Sequence, residues 1–255
     1  MTSPGILPCI VPDWSAPPRV RAFFSTRDGG VSLPPFASLN LGDHVGDRPE
    51  DVRENRRRVE ALLPAGPRWL QQVHGTTVVS ARGAVGCEAD AAVAHAAGEV
   101  CVVMVADCLP VLFCDRAGTV VGAAHAGWRG LAGGVLEACV RKMGVAPAEV
   151  LAWLGPAIGP SAFEIGPEVR ETFMADHAEA AGAFRPGRGD RWMADIYMLA
   201  RLRLERAGMD AGAIYGGTYC TASDPARFFS YRRDGRTGRM GAFVWLDGAS
   251  VAAIA

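Results

Sequence analysis

Two histidines and one cysteine stand in three separate segments that are otherwise rich in small and apolar residues. His74 lies in QQVHG, Cys108 in ADCLP and His125 in AAHAGWRG. Each follows an apolar run that predicts a strand, so the three side chains could meet where those strands end. Two imidazoles and one thiolate make a three-ligand zinc set, which leaves the fourth tetrahedral position open for water, as in catalytic zinc sites.

The residues alone leave other interpretations open. The three positions are far apart in sequence and show no zinc-finger spacing, and a lone buried thiol often only fills a core. A metal-free hydrolase dyad of Cys108 and His125 is one alternative. A structural zinc site is another, and its fourth ligand would be Cys87, Asp90 or His95. Packing is the expected role of the thiols inside apolar runs, which are Cys101, Cys114 and Cys139.

The elements around these segments predict an α+β fold with a layered arrangement. A Gly/Pro-rich loop follows the first strand, and Asp47 and Pro49 then open a helix with an apolar stripe. Because strands cluster mid-chain and helices follow them, we expect a single layered domain of mixed β-sheets flanked by helices, spanning 1–255. The stripe residues are Val52, Val59, Leu62 and Leu63. The predicted strands are 20–25, 78–80, 100–107, 109–115, 119–125, 150–154, 213–216 and 239–246, and the later helices are 131–143, 167–176 and 192–207.

Composition excludes several classes of function. The chain has 255 residues, 49% of them hydrophobic and 21% charged, with a net charge of -1. It lacks the basic excess of a nucleic-acid binder, and no apolar stretch is long enough to predict a membrane span. Seven cysteines without a CxxC pair favour a reducing compartment. No signal-peptide pattern opens the sequence, so we expect a cytoplasmic protein, and nothing predicts an obligate protein partner.

Five segments closely resemble the bacterial YfiH family, and the resemblance extends over nearly the whole chain in order. They are 25–47, 69–75, 106–131, 152–166 and 228–240. The family is also called the laccase-domain or multicopper polyphenol oxidoreductase family and, in enterobacteria, the peptidoglycan editing factor. The resemblance implies a YfiH-like fold, with a catalytic zinc bound by the matching residues, which are His74, Cys108 and His125.

The resemblance also implies a reaction. It points to phosphorolysis of adenosine, inosine, guanosine and methylthioadenosine, and to deamination of adenosine, with a nucleoside and phosphate as small-molecule partners. Phosphate binding suits arginine, and Arg27, Arg129 and Arg232 lie in the matching segments, where Asn40 could bind substrate. Deamination attacks C6 of the base and phosphorolysis attacks C1′ of the ribose. One zinc cannot adjoin both atoms in a single substrate pose.

The family names suggest two further activities. An editing hydrolase would remove L-serine from wrongly charged cell-wall precursors and would use the same open metal position. A polyphenol oxidase of the laccase type needs many histidines, usually in HxH pairs, whereas this chain has five histidines and no HxH. One copper ion in the three-ligand site is possible in place of zinc, because copper binds such ligands more tightly.

Overall fold

The strands form three sheets in the computed structural model, which describes residues 7–83 and 86–248. The strands are β1 Cys9–Ile10, β2 Val20–Ser25, β3 Val78–Ser80, β4 Ala91–Ala94, β5 Val100–Val105, β6 Leu109–Asp115, β7 Val121–Ala126, β8 Val150–Leu154, β9 Glu164–Ile165, β10 Phe184–Pro186, β11 Trp192–Ala194, β12 Ile214–Gly216 and β13 Met240–Leu246. The helices are α1 Pro49–Glu60, α2 Trp128–Gly133, α3 Val135–Met143, α4 Pro167–Asp176, α5 Ile196–Arg206 and α6 Tyr231–Asp234.

The largest sheet is mixed, with strand order β12-β8-β6-β7-β4-β3. Its two outer pairs, β12 with β8 and β4 with β3, are parallel, and its central pairs are antiparallel. A four-stranded antiparallel sheet has the order β1-β2-β13-β5. The small third sheet has the order β10-β11-β9.

The two larger sheets pack face to face, which explains why their central strands are apolar throughout. Odd-numbered residues of β5 join the core between the sheets, and its even-numbered residues pack against Leu39, Leu41 and Val59. In β6 the alternation places Leu112 and Cys114 between the sheets, and it places Leu109, Val111 and Phe113 in the core with α3, α4 and α5. Both faces of each strand are therefore covered, as continuous apolar runs predict.

Two predicted helices have different bounds in the structure. They begin or break at polar or glycine residues, which hydrophobic periodicity does not take into account. The predicted helix 131–143 is two helices, because Gly134 between α2 and α3 has a left-handed φ of 97°. The predicted helix 192–207 loses its first residues to β11. Helix α5 begins only after Asp195, whose carboxylate accepts a hydrogen bond from the backbone N–H of Met198 at 3.0 Å.

The first helix is confirmed, but its apolar stripe is shorter than predicted. Val52 and Val59 are buried, whereas Leu62 and Leu63 lie beyond the last residue of α1, and Leu62 is exposed. The mixed sheets and flanking helices confirm the α+β class, and a single domain over 1–255 stays a prediction. None of the helices that the structure describes is both long and apolar enough to cross a membrane.

Candidate active site

The side chains of His74, Cys108 and His125 converge, and their potential ligand atoms all lie within 4.8 Å of one another. The Sγ atom of Cys108 is 3.8 Å from Nε2 of His74. The two imidazole rings have centroids 4.8 Å apart and are inclined by 73°. His125 is buried, Cys108 is half-buried and His74 is exposed, so the cluster opens toward solvent on the His74 side.

Strand pairing brings two of these residues together. In the β6–β7 pair Pro110 lies opposite His125, which places Cys108, just before β6, beside the same strand end. His74 differs from the sequence prediction. The run before it forms no strand, and only Gln71 makes an isolated bridge to Glu88.

A buried carboxylate positions both histidines. Oδ1 of Asp90 lies 2.8 Å from Nδ1 of His125 and also accepts from the backbone N–H of His74 at 2.9 Å. Its Oδ2 accepts from the N–H groups of Val73 and Gly75. Because a carboxylate only accepts, Nδ1 of His125 carries a proton, and Nε2 is the ring nitrogen that could bind a metal ion.

The Asp90 carboxylate stabilises the strained loop around His74 in addition to orienting the ring of His125. His74 has a positive φ of 59°, which is uncommon for a residue with a side chain. The three backbone N–H groups that donate hydrogen bonds to Asp90 belong to the turn around His74. Burial raises the pKa of Asp90. The hydrogen bonds from His125 and from the backbone of Gly75 and Val73 lower it by more than burial raises it, so that the net shift is downward.

The electrostatics of the cluster favour a thiolate. Burial alone raises the pKa of Cys108, but the charge of His125 and hydrogen bonds from His125 and His74 lower it to about 6. Burial lowers the pKa of His125, whereas the Cys108 thiolate and Asp90 raise it to about 9. Without metal the two residues therefore form a thiolate–imidazolium pair near neutral pH. A thiolate is the form of cysteine that binds metals.

Glycine closes the floor of the cluster. A Cβ atom on Gly127 would lie 2.7 Å from Cδ2 of His74 and 3.1 Å from Sγ of Cys108. Any side chain at this position would push the two ligands apart. The Gly in the AAHAGWRG segment therefore serves close packing of the cluster.

A second buried carboxylate joins the two sides of the cleft. Asp107, which has a positive φ of 90°, accepts hydrogen bonds from Thr221 Oγ1 at 2.6 Å, Ser230 Oγ at 3.0 Å and the backbone N–H of Arg232 at 2.7 Å. Its own carbonyl accepts from the N–H of Ile158. Asp107 thus fixes the loop of Cys108 against the segment that carries α6.

The cluster lies in the wall of a cleft of about 470 Å³, a size typical of small-molecule sites. One part of the wall is apolar and aromatic, and another part carries guanidinium groups. The apolar residues include Met104, Trp128, Ile158, Phe163 and Ile196. The arginines are Arg129, Arg232 and Arg239.

Two of the four predicted substrate residues line this cleft. Arg129 lies over the ring of Trp128, with its Cζ 4.3 Å from the ring centroid. Arg232 also lines the cleft, and its Nη1 donates to the carbonyl of Glu164 at 2.7 Å. Both side chains are exposed and keep further N–H groups for a ligand.

The other two predicted residues do not line the cleft, because their polar atoms already bind the protein. Arg27 donates to the carbonyls of Ala37 and Pro225. Asn40 is fully buried, and its side chain binds Gly42, Asp47 and the N–H of Arg239. Arg27 and Asn40 are therefore not among the residues that line the cleft, and a role for them in substrate binding stays a prediction.

Several residues that line or support the site are not predicted from the sequence. Gln72 makes two hydrogen bonds to the backbone of Met104 and so ties the His74 loop to β5. Arg239 lies in the segment 228–240 but was not singled out. For Asp90 the sequence suggests only the role of a fourth ligand. Instead it lies behind His125, and the cluster among the described residues does not include Cys87, Asp90 or His95.

Comparisons with known proteins agree along nearly the whole chain. A family model described as multi-copper polyphenol oxidoreductase laccase matches residues 21–247. A Pseudomonas aeruginosa protein named purine nucleoside phosphorylase is 59% identical over 239 residues, which cover 93% of this chain and 98% of the relative. An Escherichia coli K12 protein named purine nucleoside phosphorylase YfiH is 56% identical over 241 residues, with coverage of 93% and 98%.

Solved structures share the fold. The crystal structure of a Neisseria meningitidis protein matches with a TM-score of 0.90 and 52% identity, and covers 94% of this chain and 99% of that one. The crystal structure of YlmD from Geobacillus stearothermophilus matches with a TM-score of 0.86 and 34% identity, with coverage of 94% and 100%. The YfiH-like fold expected from the sequence is confirmed.

Proposed function

This chain belongs to the family described as multi-copper polyphenol oxidoreductase laccase, and from that premise we propose that it is a zinc-dependent purine nucleoside phosphorylase. Relatives more than half identical to it carry the name purine nucleoside phosphorylase. The observation that carries the proposal is the composition of the cleft. It joins a three-donor cluster, several guanidinium groups and an aromatic wall within about 470 Å³.

The donor set fits a zinc ion. Tetrahedral zinc with bonds of about 2.0–2.3 Å holds neighbouring donors about 3.3–3.6 Å apart. Sγ of Cys108 and Nε2 of His74 are 3.8 Å apart, and all three donors lie within 4.8 Å, so small side-chain rotations suffice. His74, Cys108 and His125 would hold the metal. When bound, zinc would act as a Lewis acid that polarises a substrate atom or lowers the pKa of bound water.

The remaining residues of the cleft suit a nucleoside and phosphate. The apolar wall, including Trp128 and Phe163, offers surfaces for the purine. Guanidinium groups would orient the phosphate so that one of its oxygens attacks C1′. The C1′–O bond forms as the C1′–N9 bond breaks, and the proton of the hydrogen phosphate passes to the departing base. The products are the free base and ribose 1-phosphate.

A complete laccase site has no support in the described residues. Such a site needs several copper centres, and the described part of the chain holds a single group of three potential ligands. His44 lines the cleft without joining that group.

Deamination of adenosine would bring C6 rather than C1′ to the cluster and would need a reversed substrate pose.

The proposal is tested by product identification with protein of measured zinc content. Inosine and adenosine are supplied with and without phosphate, and bases, ribose 1-phosphate, inosine and ammonia are quantified. We expect hypoxanthine and ribose 1-phosphate from inosine only when phosphate is present. Ammonia from adenosine without phosphate would reveal deamination as an additional activity.

The same product analysis, with a muramyl precursor carrying L-serine as an added substrate, distinguishes the remaining alternative. Protein that leaves every nucleoside unchanged but releases L-serine from a muramyl precursor would replace the phosphorylase proposal with the editing hydrolase. Release of hypoxanthine at equal rates with and without phosphate would mean nucleoside hydrolysis and would also contradict the proposal.

A further inference from the structure

Arg239 differs from the other cations of the cleft in its surroundings. Its side chain is half-buried in the cleft wall, whereas Arg129 and Arg232 are exposed. Within residues 7–83 and 86–248, Arg239 forms no salt bridge, and Asp107 and Cys108 act on it only through space. Its Nη1 donates only to the carbonyls of Thr237 and Gly238, both at 3.1 Å. A partly desolvated positive charge therefore faces the cleft without a salt-bridge partner among the described residues, although the charges of Asp107 and Cys108 are nearby.

The surrounding loop is built to hold this side chain. Asn40 Oδ1 accepts from the backbone N–H of Arg239 at 2.8 Å, and the carbonyl of Arg239 accepts from the N–H of Leu41 at 3.0 Å. A Cβ atom on Gly42 would lie 2.7 Å from Cγ of Arg239, so the arginine stem packs directly on this glycine. The buried Asn40, predicted to bind substrate, thus acts on the cleft by fixing Arg239.

Burial strengthens the attraction between this cation and an anion that enters the cleft. Burial lowers the pKa of Arg239, and the nearby Cys108, Asp107 and Tyr231 raise it only in part. The attraction between opposite charges grows as solvent screening falls, so a half-buried guanidinium gains more from an anion than an exposed one. An incoming oxyanion would also replace hydrogen bonds that burial has taken from the guanidinium.

We propose that Arg239 anchors an oxyanion subsite beside the His74–Cys108–His125 cluster. The chemical class of ligand is a tetrahedral oxyanion, and its identification as inorganic phosphate rests on the proposed phosphorolysis. Arg129 and Arg232, which are exposed and lie over Trp128 and Phe163, then contribute less to phosphate binding than Arg239.

The test is isothermal titration calorimetry of inorganic phosphate binding to zinc-loaded protein. The KM for phosphate is measured in addition, with inosine as the nucleoside substrate. The variants are Arg239→Gln, which keeps the stem on Gly42, Arg239→Lys and Arg129→Gln. Arg188→Gln is the matched control, because Arg188 is exposed and lies outside the cleft. We expect Arg239→Gln to weaken phosphate binding by about 10- to 100-fold, as loss of a charge-assisted hydrogen-bonding group does. The KM for inosine should change by less than about threefold, since this side chain is assigned to the anion.

Arg239→Lys should lie between wild type and Arg239→Gln, because lysine keeps the charge but lacks the planar fork. Circular dichroism and thermal unfolding establish that each variant is folded, and Arg239→Lys is the fallback if the glutamine variant is not. Unchanged phosphate affinity in folded Arg239→Gln, or a larger loss in Arg129→Gln, overturns the subsite. Absence of phosphate binding by wild-type protein overturns it too. Arg239-dependent phosphate binding without nucleoside turnover leaves the subsite standing and removes the phosphorylase proposal.

Discussion

The pKa values of the thiols in the interior of this fold and of the thiol at the cleft are shifted in opposite directions, although burial raises the pKa of each of them. Burial raises the pKa of Cys139 on α3 and of Cys114 on β6 to about 12. At Cys108 the same effect is outweighed by His125 and His74, which lower the pKa to about 6. Cys114 lies on strand β6 of the six-stranded sheet, Cys108 lies just before that strand, and Cys139 lies on helix α3, which packs against the sheet. The difference shows that imidazole neighbours, rather than burial, make a thiol of this protein a potential ligand.

The position in the sheet decides which thiols acquire such neighbours. Cys114 lies inside β6 with strands on both sides, and Cys139 packs in the core between the sheet and the helices. Cys108 lies just before β6 begins, where the loop that carries His74 meets the end of β7 that carries His125. Polar side chains can reach a strand end from several loops, whereas strand interiors here are filled by apolar side chains.

The strongest test of this contrast replaces one thiol of each kind by alanine. Cys108→Ala should lower phosphorolysis by more than about 100-fold, which is the upper range for residues that only orient a ligand. It should also reduce the bound zinc, measured by elemental analysis. Cys139→Ala should keep activity and zinc but lose about 1 kcal/mol of unfolding free energy, because it leaves a small cavity. A folded Cys108→Ala protein with wild-type turnover would contradict the assignment of Cys108.

A weaker perturbation targets the carboxylate behind the cluster. Asp90→Asn should lower zinc affinity by about 10- to 100-fold, because an amide cannot accept from His125 and the His74 loop as the carboxylate does. Competition with a chromophoric chelator measures this affinity. Asp115→Asn is the matched control, since Asp115 is also buried but binds Thr119 and Val120, away from the cluster. Equal zinc affinities in the two variants would show that Asp90 has only a structural role.

The smallest expected effect is the pH dependence of thiol reactivity in metal-free protein. Because the pKa of Cys108 is lowered to about 6, the thiolate forms as pH rises through 6. Its alkylation rate should therefore increase about tenfold between pH 5 and pH 7. Cys139, with a pKa of about 12 and no exposed surface, should remain unlabelled. Residue-resolved mass spectrometry after iodoacetamide treatment measures both rates. A Cys108 rate that rises only near pH 9 would contradict the proposed thiolate.

Much of the fold could be predicted from periodicity, and the failures have local causes. Continuous apolar runs identify β5 and β6 because both faces of these strands are covered. Strand β4 was missed because Ala91–Ala94 is short and rich in alanine, which has no strong preference for strands. The small sheet was missed because its strands have two or three residues each, too few to show a period of two.

The sequence by itself determined which residues could bind metal, because only certain side chains carry donor atoms and the family segments mark their positions. The tertiary structure decided which partners they have. The register that pairs Ala91 with Ala124 places Asp90 beside His125, and no local pattern contains that pairing. Likewise, Asn40 and Arg239 meet although 199 positions separate them. Hydrogen bonds and burial depend on distance in space, so the role of each polar side chain was settled only by folding.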